Sequence, residues 1–136
     1  MVSAEHPDAA DGTMGRLQAI DVAGRKRAWV HHQRAPFSTS ALATAGGVLF
    51  VGDLDPSLKA FDDATGRQLW QAALDDLPSS SVITYSVDTT QYVAVVVGLR
   101  NNHINDMSGT YNAFRKNRGD TGVTLRGGAA IWVFTL

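Results

Sequence analysis

Four histidines, a set of carboxylates and several serines are the residues of this chain whose types could bind a metal or carry acid–base or nucleophilic chemistry. Their spacing argues against each use. His31 and His32 are neighbours in an extended stretch and point to opposite faces, while His6 and His103 lie in stretches without periodicity, so no chelating set follows. Asp53, Asp55, Asp62 and Asp63 lack the central Gly and terminal Glu of a calcium-binding loop, and turn capping accounts for them. Ser38, Ser40 and Ser79-Ser80-Ser81 have no Gly-x-Ser-x-Gly setting, so no serine gains the sharp exposed turn of a hydrolase nucleophile. The pairs Gly46-Gly47 and Gly127-Gly128 precede apolar β-runs rather than helix starts and make turns, not phosphate cradles. The residue types therefore assign neither a catalytic nor a metal-ligating residue.

What the sequence does carry is a repeat. AIDVAGRKRAW (Ala19 to Trp29) and AFDDATGRQLW (Ala60 to Trp70) place both Ala and both Trp at an offset of 41 residues. A period of about 40 to 45 residues, with short β-runs between glycine turns, fits one four-stranded propeller blade. Leu17 to Asp21 and Leu58 to Asp62 alternate apolar and polar as half-buried strands do, each Asp opens a turn, and Gly24 or Gly66 is expected to supply positive φ. Glycine stands one position earlier in the first copy, which predicts a different turn. Trp29 and Trp70 are expected between neighbouring sheets, each facing its small Ala, with the indole N–H on a carbonyl.

The rest of the chain divides around these copies. β-runs at 41–44 and 48–52 join the Leu58 and Gln68 strands into a complete blade over about 41–72. Further strands are expected near 82–86 and 91–97, the latter apolar on both faces and so covered above and below. The stretch from Leu99 to Gly128 is rich in Asn, Gly and Ser and reads as an irregular loop insertion. The expected organisation is a disordered N-terminal segment (1–14), propeller blades (15–98), the insertion (99–127) and a final strand (128–136).

The predicted fold is thus all-β: a partial β-propeller of about two to three four-stranded antiparallel blades with tryptophan-docking repeats. Closed propellers use about four to eight blades, so the expectation is that either neighbouring chains supply the others or the polypeptide is a piece of a longer one. The 12 basic and 13 acidic residues nearly cancel, and the one dense basic run, Arg25-Lys26-Arg27, falls on a hairpin tip, which argues against a nucleic-acid partner. There is no cysteine, hence no disulfide framework. Residues 1–14 have neither the basic start nor the apolar core of a secretory signal, and no stretch reaches the roughly 18 apolar residues of a membrane span.

The strings Leu-Ala-Thr-Ala-Gly-Gly-Val-Leu-Phe-Val-Gly-Asp (42 to 53), Lys-Ala-Phe-Asp-Asp-Ala-Thr-Gly-Arg-Gln-Leu-Trp (59 to 70), Ile-Thr-Tyr-Ser-Val-Asp (83 to 88) and Gln-Tyr-Val-Ala-Val (91 to 95) occur in this order. With them, residues 15–98 and 128–136 resemble the C-terminal end of pyrroloquinoline-quinone (PQQ) dependent alcohol dehydrogenases, eight-bladed quinoprotein propellers. The resemblance implies PQQ near the propeller axis with a calcium ion, an Asp as general base towards the alcohol, hydride passing to the quinone and electrons leaving to a cytochrome. It also implies a periplasmic location. The catalytic Asp and the Glu and Asn that bind the metal belong to earlier blades, so no residue of this chain takes those roles. The connection before Ala41 and the segment after Val97 occupy places where related enzymes bring residues, often aromatic, towards the cofactor. Here Thr39, Ser40, Asn101 and Asn102 stand, able to line or hydrogen-bond PQQ but not to stack on it; the alternative is solvated loop. The implied function is alcohol oxidation in the assembled parent, with this chain inactive in isolation. The alternative is a non-catalytic propeller scaffold or interaction module.

Overall fold

The computed structural model describes residues 12–122 and 124–136. Of the N-terminal segment expected to be disordered, residues 1–11 lie outside this range, as does His6. Among the described residues the chain forms β1 (Gly15–Asp21), β2 (Lys26–Gln33), β3 (Leu42–Ala43), β4 (Val48–Asp53), β5 (Ser57–Asp62), β6 (Gln68–Ala73), β7 (Ile83–Val87), β8 (Thr90–Val97), α1 (Asn102–Asn117) and β9 (Ala130–Thr135). They make three antiparallel sheets in the orders β1-β2, β3-β4-β5-β6 and β7-β8-β9. Blade 2 is complete. Blade 1 is represented by its last two strands, and blade 3 by its first three.

The repeat fixes local geometry to the residue. Ala19 pairs with Trp29 and Ala60 with Trp70, and in both hairpins the register shifts immediately after the Ala. The bulge leaves the small residue opposite the large one on the same face. Asp62 Oδ1 accepts from Ala64 N, Thr65 N and Thr65 Oγ1, and Asp21 Oδ1 accepts from Gly24 N. These bonds to its ionised form hold the Asp62 carboxyl below its usual range, Thr65 contributing most. One expectation is corrected: positive φ belongs to Gly66 (73°) in the second turn but to Arg25 (51°) in the first. Arg25 stands 41 residues before Gly66, so the backbone position keeps its conformation while the glycine has moved one place earlier. Gly24 is needed for another reason, since a Cβ there would lie 2.3 Å from Asp21 Oδ2.

The stretch 99–127, expected to be irregular, contains the sixteen-residue helix α1. Ser108-Gly109-Thr110 lowers its local propensity, and its buried residues are few: Ile104, Tyr111, Phe114 and Arg115. These positions share one face, so tertiary contact rather than propensity stabilises the helix. The Asn101 side chain accepts from Ile104 N at the start, and Arg115 and Lys116 complement the negative end of the dipole.

Two apolar clusters result. The larger lies between blades 2 and 3, with Phe50, Leu58 and Ala60 facing Val82, Val93, Val95 and Val97. The smaller joins Ile104, Tyr111 and Phe114 of α1 to Ala35, Leu54 and Leu77, one residue from each of three connections. The helix is therefore an insertion between the second and third strands of blade 3, folded over the ends of the blades.

Candidate functional site

The connections 34–41, 54–56, 74–82 and 98–129 converge at one end of the blades. Backbone hydrogen bonds hold them: Ser38 N to Gly52 O, Leu54 N to Pro36 O, Gly98 N to Leu77 O and Arg126 N to Asp75 O. Each connection thereby satisfies groups that an irregular segment would otherwise leave unpaired.

A polar network lies beneath α1. Tyr111 donates its hydroxyl to Asp55 Oδ1 at 2.6 Å, and Arg34 bonds both Asp55 (3.0 Å) and Asp120 (2.8 Å). Arg115 bonds Asp120 through Nε and Nη2 and lies over the Tyr111 ring, 5.2 Å from its centroid. Burial raises the Tyr111 phenol above its ordinary value, and the hydrogen bond to Asp55 raises it further. Arg115, then the Gly122 N–H, holds the Asp120 carboxyl low, while the bond to Asp55 raises the Arg34 guanidinium. Near neutrality the Asp120 carboxylate and the Arg34 guanidinium are charged and the Tyr111 phenol is neutral. They set shape, and they tie α1 to blade 2.

Two buried carboxylates anchor the same end. Asp53, fully buried, accepts from Lys59 Nζ (2.7 Å), Gln33 Nε2 (2.9 Å), Ser57 Oγ (2.8 Å) and Asp55 N (3.0 Å). Its charge is paired and its lone pairs are used, which makes such burial tolerable. Asp76 accepts from its neighbour Leu77 N, from Arg100 and from Gly127 N, so it clamps both sides of the α1 insertion to the entry of blade 3.

The candidate cofactor positions are partly committed elsewhere. Thr39 Oγ1 accepts from Gly52 N and donates to Ser40 O, and Asn101 is the helix cap; Ser40 and Asn102 are exposed. None of the cavities at Trp70, Tyr111 or Asp120 is lined by these four residues. A flat quinone needs a free planar face and calcium needs about six to eight oxygen ligands. None of the four candidate positions carries an aromatic ring, and among the described residues no three His, Cys, Asp or Glu are placed to hold a metal. The described residues do not compose a PQQ–calcium site by themselves. The Arg34–Asp55–Tyr111–Asp120 network was invisible in the sequence because its partners stand 21, 56 and 86 residues apart.

Junction geometry is the clearest signature of the chain. Trp29 of blade 1 lies flat on Gly66 of blade 2, where a Cβ would come within 2.5 Å of the indole ring, and donates Nε1 to Asp63 O at 2.8 Å. Antiparallel sheets joined face to face through Trp on glycine turns define a segment of a β-propeller. Residues 6–93 match the family described as PQQ: glucose/ethanol/alcohol dehydrogenase, beta-propeller domain, and the chain belongs to that family.

Its relatives agree. The chain is 32% identical over 93% of its length to the quinoprotein ethanol dehydrogenase of Pseudomonas aeruginosa, covering 19% of that protein. It is 38% identical over 65% of its length to the 1-butanol dehydrogenase (cytochrome c) of Thauera butanivorans, covering 13%. Among solved structures, a europium-containing methanol dehydrogenase superposes with a TM-score of 0.69 at 28% identity, over 89% of this chain and 23% of that one. The chain thus spans less than a quarter of the length of each. No helix among the described residues is long and apolar enough to cross a membrane.

Proposed function

We propose that this chain supplies blades to a PQQ-dependent, alcohol-oxidising propeller, and that turnover requires the further blades that carry the catalytic Asp and the calcium ligands. The family match over 6–93, coinciding with a docked blade junction, carries the reading. Further blades have a place to attach. Ser38 Oγ donates to Pro78 O of the next blade at 2.8 Å, whereas Ser79, 41 residues later, has its hydroxyl buried with no hydrogen-bond partner among the described residues. An adjoining blade with a carbonyl in the place of Pro78 O would accept it.

By the same reading the electron acceptor is a cytochrome, as the name of the 1-butanol dehydrogenase (cytochrome c) suggests for that protein, and the assembly is periplasmic. Thr39, Ser40, Asn101 and Asn102 would border the cofactor through hydrogen bonds only. The test compares the chain alone with the chain co-expressed with the remaining blades of the Pseudomonas aeruginosa ethanol dehydrogenase. PQQ and calcium are added, binding is followed by fluorescence and activity by alcohol-dependent dye reduction. Binding and turnover are expected for the assembly and neither for the chain alone. Absence of both in a formed assembly would reject the dehydrogenase reading in favour of a non-catalytic scaffold.

A further inference from the structure

The helix α1 does more than cover the ends of the blades, because it leaves a cleft beneath its second half. The inner part of that cleft, about 110 Å³, has Arg100, Asn112 and Arg115 on its polar side and Leu54, Leu77 and Leu125 on its apolar side. Asn112 and Arg115 also border an outer part of about 530 Å³, together with Lys116 and Asp120. Arg115 is buried although it carries a charge, being only 5% exposed. Leu54 and Leu77 are buried as well, and Leu125 is partly so. Two guanidiniums and an apolar wall thus face one small space.

The charges around this space do not cancel. Arg100 bonds Asp76, Arg115 bonds Asp120, and Arg34 joins Asp120 to Asp55, while Lys116 makes no ion pair among the described residues. The groups that line the cleft, or bond its lining directly, are therefore the cations Arg34, Arg100, Arg115 and Lys116 against the carboxylates Asp55, Asp76 and Asp120. One positive charge is left over. Donors are left over too, since a guanidinium has about five N–H groups, of which Arg115 gives Nε and Nη2 to Asp120 and Arg100 gives Nη2 to Asp76. Asn112 is exposed, and its amide makes no hydrogen bond among the described residues. A guanidinium fork matches the two oxygens of a carboxylate. At about 30 Å³ for each water-sized group, the inner part has room for a carboxylate carrying a short alkyl group. A phosphate dianion would bring a charge too many and would set nothing apolar against the leucines.

We infer that the cleft beneath α1 is a binding site for a short-chain monocarboxylate, its oxygens between Arg100, Arg115 and the Asn112 amide and its alkyl group against Leu54, Leu77 and Leu125. The site does not depend on the dehydrogenase reading, since every residue it uses lies in this chain and none is among the four candidate cofactor positions. It has a mechanical consequence. Asn112 and Arg115 belong to α1, whereas Arg100 precedes the helix and Leu125 follows it. A bound carboxylate therefore ties the helix to the segments on either side. Because it binds the closed helix and not the open one, it slows helix opening in proportion to its saturation.

Sodium acetate is the probe, titrated at low ionic strength into the isotope-labelled whole chain and followed by the NMR signals of its backbone amides and arginine Nε–H groups. Neutral acetamide and inorganic phosphate are titrated in parallel. Saturable shifts are expected at Arg100, Asn112, Arg115 and Leu125, with acetate bound at least tenfold more tightly than either companion. Amides of 102–117 should exchange about tenfold more slowly at an acetate concentration ten times its Kd. Asn112→Asp sets a negative charge beside the carboxylate at an exposed position, and should weaken acetate at least tenfold. Absence of saturable shifts, acetamide bound as well as acetate, or indifference to Asn112→Asp overturns the inference. Phosphate bound more tightly than acetate would assign the cleft to a dianion and overturn it as well. The contrast between acetate and acetamide uses the unaltered chain, so it decides the matter whatever the substitution does to folding.

Discussion

The two faces of blade 2 meet their neighbours by opposite chemistry. Towards blade 1 the contact is polar and local: Lys59, Asp53 and Gln33 bond one another, His31 meets Phe61 edge-on at 4.7 Å, and Trp29 seals the outer end on Gly66. Towards blade 3 it is a continuous apolar layer, open at its outer end beside Trp70. Leu58 and Lys59 are successive residues of β5, yet one enters the apolar layer and the other the ion pair, because side chains alternate across a strand. The comparison teaches that a repeat conserves the frame of a junction while leaving its chemistry free. It also shows what a neighbour does to a surface: Leu58 is 0% exposed, but its counterpart in blade 3, Ile131, is 68% exposed.

Substitutions can break this contrast at either face. The largest effects are expected at the adjacent pair. Leu58→Ala leaves a cavity and should cost about 2–5 kcal/mol, and Lys59→Met strands the buried Asp53 charge and should cost about 3–5 kcal/mol. Urea unfolding measures both; a loss below about 1 kcal/mol for Lys59→Met would show that the ion pair does not secure the first junction. Gly66→Ala comes next, at about 2–3 kcal/mol, since it combines positive φ with a clash against the Trp29 ring. Its reading is specific: Trp29 emission should shift towards that of exposed indole while the blade 2–blade 3 core stays protected from exchange.

Tyr111→Phe removes one hydrogen bond to a carboxylate and should cost about 1–2 kcal/mol. The loss should be confined to α1, so amides of 102–117 exchange faster while strand amides do not. Uniform acceleration would mean that the insertion is integral to blade packing rather than laid over it.

The smallest effect is a pH dependence confined to the first junction. Burial, then the Lys59 charge, lowers the His31 pKa from its ordinary 6.5, with a smaller push from His32 and an opposing bond from Gln33. Its Nε2 is buried with no hydrogen-bond partner among the described residues. The unfolded chain takes up a proton near 6.5 and the folded chain resists it, so stability is full above that pH and falls as pH drops below it. In His31→Gln the stability profile between pH 7 and 5 should be flatter than in the parent. Identical profiles would show that this imidazole does not report on the junction.

Much of the frame was legible in residues 19–29 and 60–70. An alternating strand, an Asp-led turn and a terminal Trp are local signals, and their 41-residue offset located the blades. The strand count, two before the complete blade and three after it, followed from the same pattern and agrees with the sheets. The helix was not legible, because Ser108-Gly109-Thr110 masks it and its apolar face is narrow. Nor was the role of Asn101, whose short amide serves a turn, a cap or a ligand equally well until the following backbone is fixed.

The sequence by itself determined period, strand order and which residue faces its neighbour across each hairpin, since these depend on residue types a few positions apart. Only the tertiary structure decided that Arg25 rather than Gly24 takes the left-handed conformation, that Asp53 is buried and paired, and that Asp55, Tyr111, Arg34 and Asp120 meet. Those outcomes depend on groups far apart in the chain, and the energy of a charge or a bend is set by what packs around it rather than by what precedes it.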